Sequence, residues 1–238
     1  MIDSKNIIVF DLEVVALDFE STYDQDTKDY LLKYAKTEED KLAAIDGLVF
    51  SPFTSQIVSI GLWDYNRDRG CVLINTGDEQ PEIIPENEKV KFVVDNEKGI
   101  VDKFWAYVQQ LNCEHYVTFN GREFDCPFIM LRSLILRSKP TCNLMKGGDF
   151  SYNHYHTDLL KELTYHKHSP QGARRKFNLD FYCKMLGVES PKAGGVKGDM
   201  VGELYKNKEY KTIADYCIAD VIATAKLFSI WNDNTYKS

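Results

Sequence analysis

Short apolar runs alternate with longer amphipathic segments along this chain of 238 residues. Runs rich in Val and Ile predict strands buried on both faces, and apolar residues at helical spacing predict helices that cover a core. Strands are expected at residues 6–13, 56–63, 71–75 and 116–119, with a short fifth strand from residue 156. Helices are expected at residues 99–111, 127–135, 178–187, 199–206 and 213–228.

The segment between the first two strands is polar and acidic. Its apolar residues are spaced for one or two amphipathic helices between residues 23 and 46. Residues 77–89 are expected to be a loop, and neither an internal repeat nor a low-complexity linker divides the chain. With 44% hydrophobic residues, a chain of this length can bury one large core. We therefore expect a single α/β domain over residues 1–238, with an acidic helical insertion at about residues 17–50.

The first predicted strand ends in two carboxylates. Strand side chains alternate between the two faces, so Asp11 and Glu13 share one face. Two like charges repel each other and are costly to remove from water. The pair is therefore either a solvated strand end or part of a divalent-cation site, where the cation removes the repulsion.

A third acid follows the fourth predicted strand. An Asn-Gly turn at residues 120–121 leads to a helix start, with Asp125 at the expected N-cap and Pro127 in the first turn. By itself, Asp125 is most simply a helix cap.

The last predicted helix carries a fourth acid. Tyr216 and Asp220 are four residues apart and lie on one helical face. The neighbours of Asp220 are apolar and small, and an aspartate in such surroundings usually has a partner or a metal ion. The alternative is a solvated helix face.

These segments form three motifs in a fixed order: Phe-Asp-Leu-Glu at 10–13, Asn-Gly-x-x-Phe-Asp-x-Pro at 120–127 and Tyr-x-x-x-Asp at 216–220. They resemble the three exonuclease motifs of the DEDD 3′–5′ exonucleases, tyrosine branch. The Gly-rich stretch at 192–205, followed by Tyr-Cys-x-x-Asp-Val, resembles more particularly stand-alone exonucleases related to the proofreading domain of family-B DNA polymerases. The resemblance runs from residue 7 to residue 228, and the acidic segment departs from it.

The resemblance implies a ribonuclease H-like fold with a mixed five-stranded sheet flanked by helices. In that fold the first three strands are antiparallel neighbours, the later strands add parallel to the first, and the four acids converge at one end of the sheet. The predicted order of three strands, a helix, a strand, a helix and a strand agrees with it.

The resemblance also implies phosphodiester hydrolysis by two divalent ions roughly 3.5–4 Å apart. Oxygen ligands favour Mg²⁺ or Mn²⁺ over Zn²⁺. Asp11 is implied to touch both ions, Glu13 and Asp220 to hold the ion that carries the attacking water, and Asp125 to help hold the second ion. Tyr216 is implied to orient the water, because a tyrosine with a reference pKa near 10 is a poor general base.

The net charge of −7 is unevenly distributed. Residues 1–50 hold 12 acidic and 5 basic residues, whereas residues 126–211 hold 15 basic and 8 acidic ones. A localised basic surface for phosphates is therefore expected, and the alternative is a set of ordinary solvated charges. The candidate patch consists of Lys167, Arg174, Arg175, Lys176, Lys192 and Lys197.

Seven residues are candidate substrate contacts: Leu12, Asn120, Phe124, Arg174, Arg175, Lys192 and Lys197. Phe124 is a candidate for stacking on a terminal base. Asn120 is a candidate contact of the terminal nucleotide, and its alternative is a left-handed turn residue. Phe128 is expected in the core, and Asp158 is expected to cap the helix that follows it.

The histidines and cysteines favour a reduced protein without a zinc site. The pairs His154-x-His156 and His166-x-His168 lack matching cysteine spacing and are expected on the surface or in loops. The six cysteines form no Cys-x-x-Cys pair and lie mostly in apolar segments, as in a cytoplasmic protein. No run of 18 apolar residues and no basic, apolar leader is present, so no membrane span or signal peptide is expected.

With all four acids and the tyrosine present, the resemblance implies a metal-dependent 3′–5′ exonuclease that releases nucleoside 5′-monophosphates from single-stranded ends, with DNA preferred. The alternatives are a 3′–5′ exoribonuclease with the same mechanism and a non-catalytic nucleic-acid-binding scaffold. The scaffold would have lost a metal ligand, whereas this chain keeps all four acids and Tyr216. A proofreading role would need a separate polymerase or repair protein as partner.

Overall fold

A computed structural model describes residues 5–147, 154–167, 169–189 and 195–234. The strands are β1 (Ile7–Ala16), β2 (Ser55–Asp64), β3 (Arg69–Asn75), β4 (Val90–Asp95), β5 (His115–Thr118) and β6 (His156–Asp158). The helices are α1 (Phe19–Thr22), α2 (Gln25–Leu31), α3 (Glu38–Asp46), α4 (Glu97–Gln110), α5 (Asp125–Leu136), α6 (Leu159–Leu163), α7 (Leu179–Met185), α8 (Val201–Lys206) and α9 (Tyr210–Asn234). Short 3₁₀ turns lie at Gly47–Phe50 and Gly198–Met200.

The six described strands form one mixed sheet in the order β4-β3-β2-β1-β5-β6. Strands β1, β2 and β3 are antiparallel neighbours, while β5 adds parallel to β1 and β6 adds parallel to β5. This agrees with the expected topology. The strand count differs from the expected five, because β4 pairs parallel with β3 at the edge. Lys91 interrupts its apolar run and is exposed, so β4 lacks the pattern of a strand buried on both faces.

The alternation of side chains along β1 divides the core into two layers. Ile8, Phe10 and Leu12 face α4 and α5, where they pack with Trp105 and Phe128. The intervening residues, such as Val9, face α9 on the other side. Asp11 and Glu13 continue this second series. The strand period therefore directs both carboxylates towards α9.

A glycine in β2 allows α9 to approach the sheet closely. Gly61 is the register partner of Asp11. A Cβ atom on Gly61 would lie 2.7 Å from Cγ2 of Val221 and 2.9 Å from Sγ of Cys217. Distances below 3.0 Å require the neighbours to shift, so the absence of a side chain sets the distance between α9 and the strand pair.

Three short helices and a 3₁₀ turn occupy the segment between β1 and β2, in place of the one or two helices expected there. Asp18, Asp24 and Thr37 cap α1, α2 and α3 through hydrogen bonds to backbone N–H groups. None of these helices contains a fully buried residue. Caps rather than core packing therefore define their ends.

Among the helices of the described residues, none is long and apolar enough to cross a membrane.

Candidate functional site

Asp11 and Glu13 project together from the middle of β1. One carboxylate oxygen of each residue and the Cys217 Sγ atom lie within 4.8 Å of one another. The register of β1 against β2 shifts directly after Glu13. Such bulges twist a strand and redirect its side chains, and they are frequent beside functional sites. The predicted common face of the two acids is confirmed.

Helix α9 brings Tyr216 and Asp220 to the same place. The Tyr216 hydroxyl and the Asp220 carboxylate are hydrogen-bonded, and both interact with Glu13. Burial raises the pKa of Tyr216 far above its usual value, and the charges of Glu13, Asp220 and Asp11 raise it further. The phenol therefore keeps its proton at neutral pH.

Asp125 reaches the site from the opposite face of the sheet. It is the first residue of α5, and the N-cap is Phe124, so the expected capping position of Asp125 is wrong by one residue. Its Oδ1 atom accepts a hydrogen bond of 3.0 Å from the backbone N–H of Leu12. The carboxylate thus turns towards β1, between the two acids of that strand. Burial raises its pKa to about 7.

The four carboxylates repel one another at a site that is partly shielded from water. Burial is the largest cause that raises the pKa of Asp11, followed by the charges of Asp125, Glu13 and Asp220. Glu13 also has a raised pKa, because of burial and then because of Asp220 and Asp125. A hard divalent cation removes such repulsion and accepts carboxylate oxygens as ligands. The donor set of the site therefore fits Mg²⁺ or Mn²⁺.

Asp158 supports the turn that precedes Asp125. Its carboxylate accepts hydrogen bonds of 2.9 Å from the backbone N–H groups of Asn120 and Arg122, and it caps α6 through Leu160 N–H at 3.1 Å. The predicted cap is confirmed. Asn120 has a φ of 68°, which confirms it as a left-handed turn residue.

A cleft of about 490 Å³ opens beside Asp11 and Asp220. Phe119 and Asn120 line it on one side. The segment before α7 completes the lining with Lys176, Phe177 and Asn178, together with Leu160 and the first residue of α7, Leu179. Aromatic faces, amides and one cation thus surround the space next to the acids. This mixture is typical of single-stranded nucleic-acid sites.

The candidate basic residues are distributed unevenly around this cleft. Among the described residues Lys176 lines it, whereas Arg174 and Arg175 lie earlier in the same exposed loop, with Arg175 over the ring of Phe177 at 5.0 Å. Lys197 is exposed and precedes Gly198, where a Cβ atom would lie 3.9 Å from the Tyr216 hydroxyl oxygen. Lys192 lies outside the described residues.

Leu12 and Phe124, the two apolar residues predicted to contact substrate, are largely packed against other side chains. Leu12 is 5% exposed and packs in the core, so the part of it nearest the acids is its backbone N–H group. Phe124 is half-buried and packs against Phe128, whose expected burial is confirmed.

The expected surface or loop position is wrong for one histidine, His156. His156 is buried in β6, where its Nε2 atom lies 2.8 Å from the Thr118 hydroxyl. It belongs to the polar pairing between β5 and β6, which no short motif could indicate. His154 and His166 are exposed as expected, and His168 lies outside the described residues.

Several contributors to the site are absent from the residues predicted as functional, among them Cys217 and Phe177. Cys217 is expected in the apolar core on its pattern, although its place directly after Tyr216 in the motif points to the acids. Phe177 carries no signal of its own, because its position at the cleft depends on the fold of the loop before α7.

Residues 70–232 match the protein family described as predicted 3′–5′ exonucleases related to the exonuclease domain of PolB. The match includes Asp125, Tyr216 and Asp220 and begins after Asp11 and Glu13. Over 141 residues the chain is 23% identical to the catalytic polypeptide of DNA polymerase epsilon from Aspergillus fumigatus, and equally to that from Emericella nidulans. That stretch is 56% of this chain and 6% of each polymerase polypeptide.

The fold resembles that of the family B DNA polymerase from the hyperthermophilic archaeon Pyrobaculum calidifontis. The TM-score is 0.59 at 14% sequence identity, and the likeness covers 96% of this chain and 24% of that polymerase. It confirms the expected ribonuclease H-like fold, with six strands instead of five.

Proposed function

Because the chain belongs to the family of predicted 3′–5′ exonucleases related to the exonuclease domain of PolB, we propose that it is a metal-dependent 3′–5′ exonuclease of single-stranded nucleic acid. The observation that carries the proposal is the meeting of Asp11, Glu13, Asp125 and Asp220 beside Tyr216. The five side chains come from three distant segments. Glu13 and Asp125 are buried, and Asp11 and Asp220 are half-buried. Four such carboxylates without a cation would repel one another, so their meeting favours a metal site over a structural cluster.

The cofactors that fit this carboxylate set are two Mg²⁺ ions, or Mn²⁺ in their place. Asp11 would hold both ions, Glu13 and Asp220 would hold one, and Asp125 would help hold the other. When bound, such ions supply an activated water and stabilise the charge of the leaving oxygen. Asp125 is pre-oriented for this task by the hydrogen bond from Leu12 N–H.

Tyr216 would orient the attacking water. A phenol whose pKa is raised by burial and by neighbouring carboxylates keeps its proton and is a poor base. It can still donate or accept a hydrogen bond at a fixed position, which is how a positioned group lowers a barrier.

The cleft would receive the terminal nucleotide. Its volume of about 490 Å³ is of the size that encloses one small ligand. Phe119 and Phe177 would contact the base, and Lys176 would contact a phosphate. Arg174, Arg175 and Lys197 remain candidates for phosphates further along the strand, and Asn120 for the terminal sugar or base.

DNA is the proposed substrate because the similar proteins are DNA polymerases. An exoribonuclease would use the same acids, so substrate choice rests on contacts to the sugar. A separate polymerase or repair protein is the proposed partner, because the similar proteins are DNA polymerases. The matched stretch is 6% of the epsilon polymerase polypeptide and 24% of the archaeal polymerase. Four of the six cysteines are buried and none has a disulfide partner, which supports a reducing, cytoplasmic compartment.

The test is the degradation of matched DNA and RNA oligonucleotides that carry a 5′ label. With Mg²⁺ the enzyme should shorten single-stranded DNA stepwise from the 3′ end and release nucleoside 5′-monophosphates, which mass spectrometry identifies. Asp11→Asn should abolish the reaction, whereas Asp102→Asn, at a half-exposed acid of α4, should keep it. A folded wild-type protein that leaves every oligonucleotide intact with Mg²⁺ and with Mn²⁺ would contradict the proposal.

A further inference from the structure

The α7 stripe is an exposed row of apolar side chains that leads away from the cleft. It consists of Phe177, which lines the cleft, and of Phe181 and Met185 on the helix itself. The three residues are four positions apart, a spacing that puts Phe181 and Met185 on one helical face. Phe181 is 39% exposed and Met185 is 64% exposed, whereas Cys183 on the opposite side of α7 is buried. The outer face of α7 therefore offers apolar surface beside the proposed position of the terminal nucleotide.

Two rings of the α7 stripe are stacked on each other. The centroids of Phe177 and Phe181 lie 4.2 Å apart, and the ring planes differ by 21°. Tyr182 contacts both rings edge-on, and its hydroxyl donates a hydrogen bond of 3.2 Å to the backbone oxygen of Arg175. These contacts fix the ring pair before any ligand binds. A pre-organised aromatic surface loses little conformational entropy on binding.

Cations accompany the α7 stripe. The guanidinium group of Arg175 lies over the ring of Phe177 at 5.0 Å, and Arg174 and Lys176 are exposed on either side of it in the chain. Aromatic rings combined with cations match a nucleic-acid strand, in which stackable bases alternate with phosphates. An apolar face of another protein would have to remove these cations from water, which is costly. The charges therefore favour a single strand over a protein as the occupant of the stripe.

We propose that Phe181 and Met185 are the stacking platform for the nucleotides that precede the 3′-terminal one. The second base from the 3′ end stacks on Phe181, the third base contacts Met185, and the phosphates between them lie along residues 174–176. The strand thus leaves the cleft along α7. Stacking on an aromatic face requires an unpaired base and tolerates any base identity. The platform rests on the proposed exonuclease function, because the 3′ end in the cleft sets the direction of the strand.

Binding of single-stranded DNA oligonucleotides in EDTA, measured by fluorescence anisotropy, tests the platform without hydrolysis. One oligonucleotide is intact, one lacks the second base from the 3′ end, and one lacks the base at the distant 5′ end. Loss of the second base should weaken binding to the wild-type protein by about fivefold or more, the lower end of what one stacked base contributes. Loss of the 5′ base should leave binding unchanged, because that base lies beyond the stripe.

Substitutions relate the effect to single side chains. Phe181→Ala should weaken binding of the intact oligonucleotide by a similar factor and should make binding insensitive to loss of the second base, because both changes remove the same contact. Phe181→Trp keeps an aromatic face and should keep the sensitivity. Met185→Ala should show the same relation with the third base. Phe50→Ala is the matched control, since Phe50 is 71% exposed in the acidic segment between β1 and β2 and its loss should change neither affinity.

The outcomes separate the platform from the exonuclease function. A wild-type protein that shortens the intact oligonucleotide but binds equally well without the second base would overturn the platform and leave the exonuclease function standing. A Phe181→Ala protein that binds more weakly yet stays sensitive to the missing base would also contradict the platform, because the ring would then act through the fold alone. A wild-type protein that binds no single strand would refute the proposed function and the platform together.

Discussion

Tyr216 is the residue whose role the local electrostatics constrain most. Its phenol contacts Asp220 and experiences the charges of Glu13 and Asp11, all of which hold its proton in place. Tyr216→Phe removes the hydroxyl and keeps the ring. We expect turnover to fall by about ten- to a thousandfold, the scale of one positioned hydrogen bond in a transition state, with little change in substrate affinity.

Single-turnover hydrolysis of a DNA oligonucleotide measures this effect. Tyr34→Phe is the matched control, because Tyr34 is 81% exposed and lies in the segment between β1 and β2. Unaltered single-turnover rates in Tyr216→Phe would remove the residue from the mechanism.

The Asp125 carboxyl makes the stability of the metal-free protein depend on pH. Burial raises its pKa to about 7 in the folded state, above the usual value of an aspartate near 4. The folded state then binds more protons than the unfolded state between these values. The Asp125 carboxyl therefore contributes fully to the free energy of unfolding below pH 4, and this contribution is lost as the pH rises through 7. Asp125→Asn imitates the protonated form and can still accept the Leu12 hydrogen bond.

Thermal unfolding in EDTA tests whether Asp125 makes the metal-free protein less stable as the pH rises. The melting temperature of Asp125→Asn minus that of the wild-type protein should increase from pH 5 to pH 8. Subtraction cancels the opposite effect of buried His115 and His156, whose pKa values are lowered to about 4 and about 3 by burial. A difference that stays constant with pH would contradict the raised pKa.

At the scale of single residues, sequence patterns predict those features that depend only on residues close in the sequence. The shared face of Asp11 and Glu13 follows from the period of a strand, and that of Tyr216 and Asp220 from the period of a helix. The hydrogen bond from Leu12 to Asp125 joins residues 113 positions apart. No local pattern contains that contact, so the pattern around Asp125 predicts a cap instead.

At the scale of elements, the fit of α9 against β2 determines where the third motif lies. The fit depends on Gly61, because a Cβ atom there would lie 2.7 Å from Val221 and 3.3 Å from the backbone oxygen of Cys217. Gly61→Ala should force the helix outward. We expect a loss of about 1–3 kcal/mol in the free energy of unfolding, the usual scale of overpacking, and a lower turnover because Tyr216 and Asp220 move with the helix.

Chemical denaturation and hydrolysis assays on the same preparation measure both effects. Gly47→Ala is the matched control, because a Cβ atom there meets nothing within 4 Å and the backbone is helical. Full activity and full stability in Gly61→Ala would show that the approach of α9 is not limited by this position.

The elements that the sequence predicts well are those buried on both faces. Strands β1, β2 and β3 lie in the sheet interior or pack under helices, so their apolar runs are continuous. Strand β4 pairs with β3 alone among the described strands, and Val90 is its one fully buried residue. Edge strands are half solvated, and their mixed pattern resembles that of a loop.

At the scale of the whole molecule, the charge is segregated along the chain. Residues 1–50 carry a net −7 and residues 126–211 a net +7. None of the described residues that line the cleft comes from the acidic segment between β1 and β2, whereas Lys176 comes from the basic half. We therefore expect the phosphates of a bound strand to lie along residues 126–211 and away from the acidic segment between β1 and β2.

Binding of single-stranded DNA should accordingly weaken as salt rises, because each phosphate contact releases counterions. The logarithm of the affinity should fall with the logarithm of salt concentration by about 0.7 per contact. Lys176→Gln should reduce this slope by about 0.7, and reversal of Arg174 and Arg175 to Glu should raise the Michaelis constant more than it lowers turnover. Charges outside the metal core bind the ground state and the transition state alike.

Fluorescence anisotropy of a labelled oligonucleotide in EDTA measures the slope without hydrolysis, and steady-state kinetics at two salt concentrations measure the Michaelis constant. Lys98→Gln is the matched control, since Lys98 lies on α4 and pairs with Asp102. It should leave the slope unchanged. If Lys176→Gln and the Arg174 and Arg175 reversals also leave it unchanged, the phosphate track lies on another surface, and the cleft beside Asp11 receives its strand from a different direction.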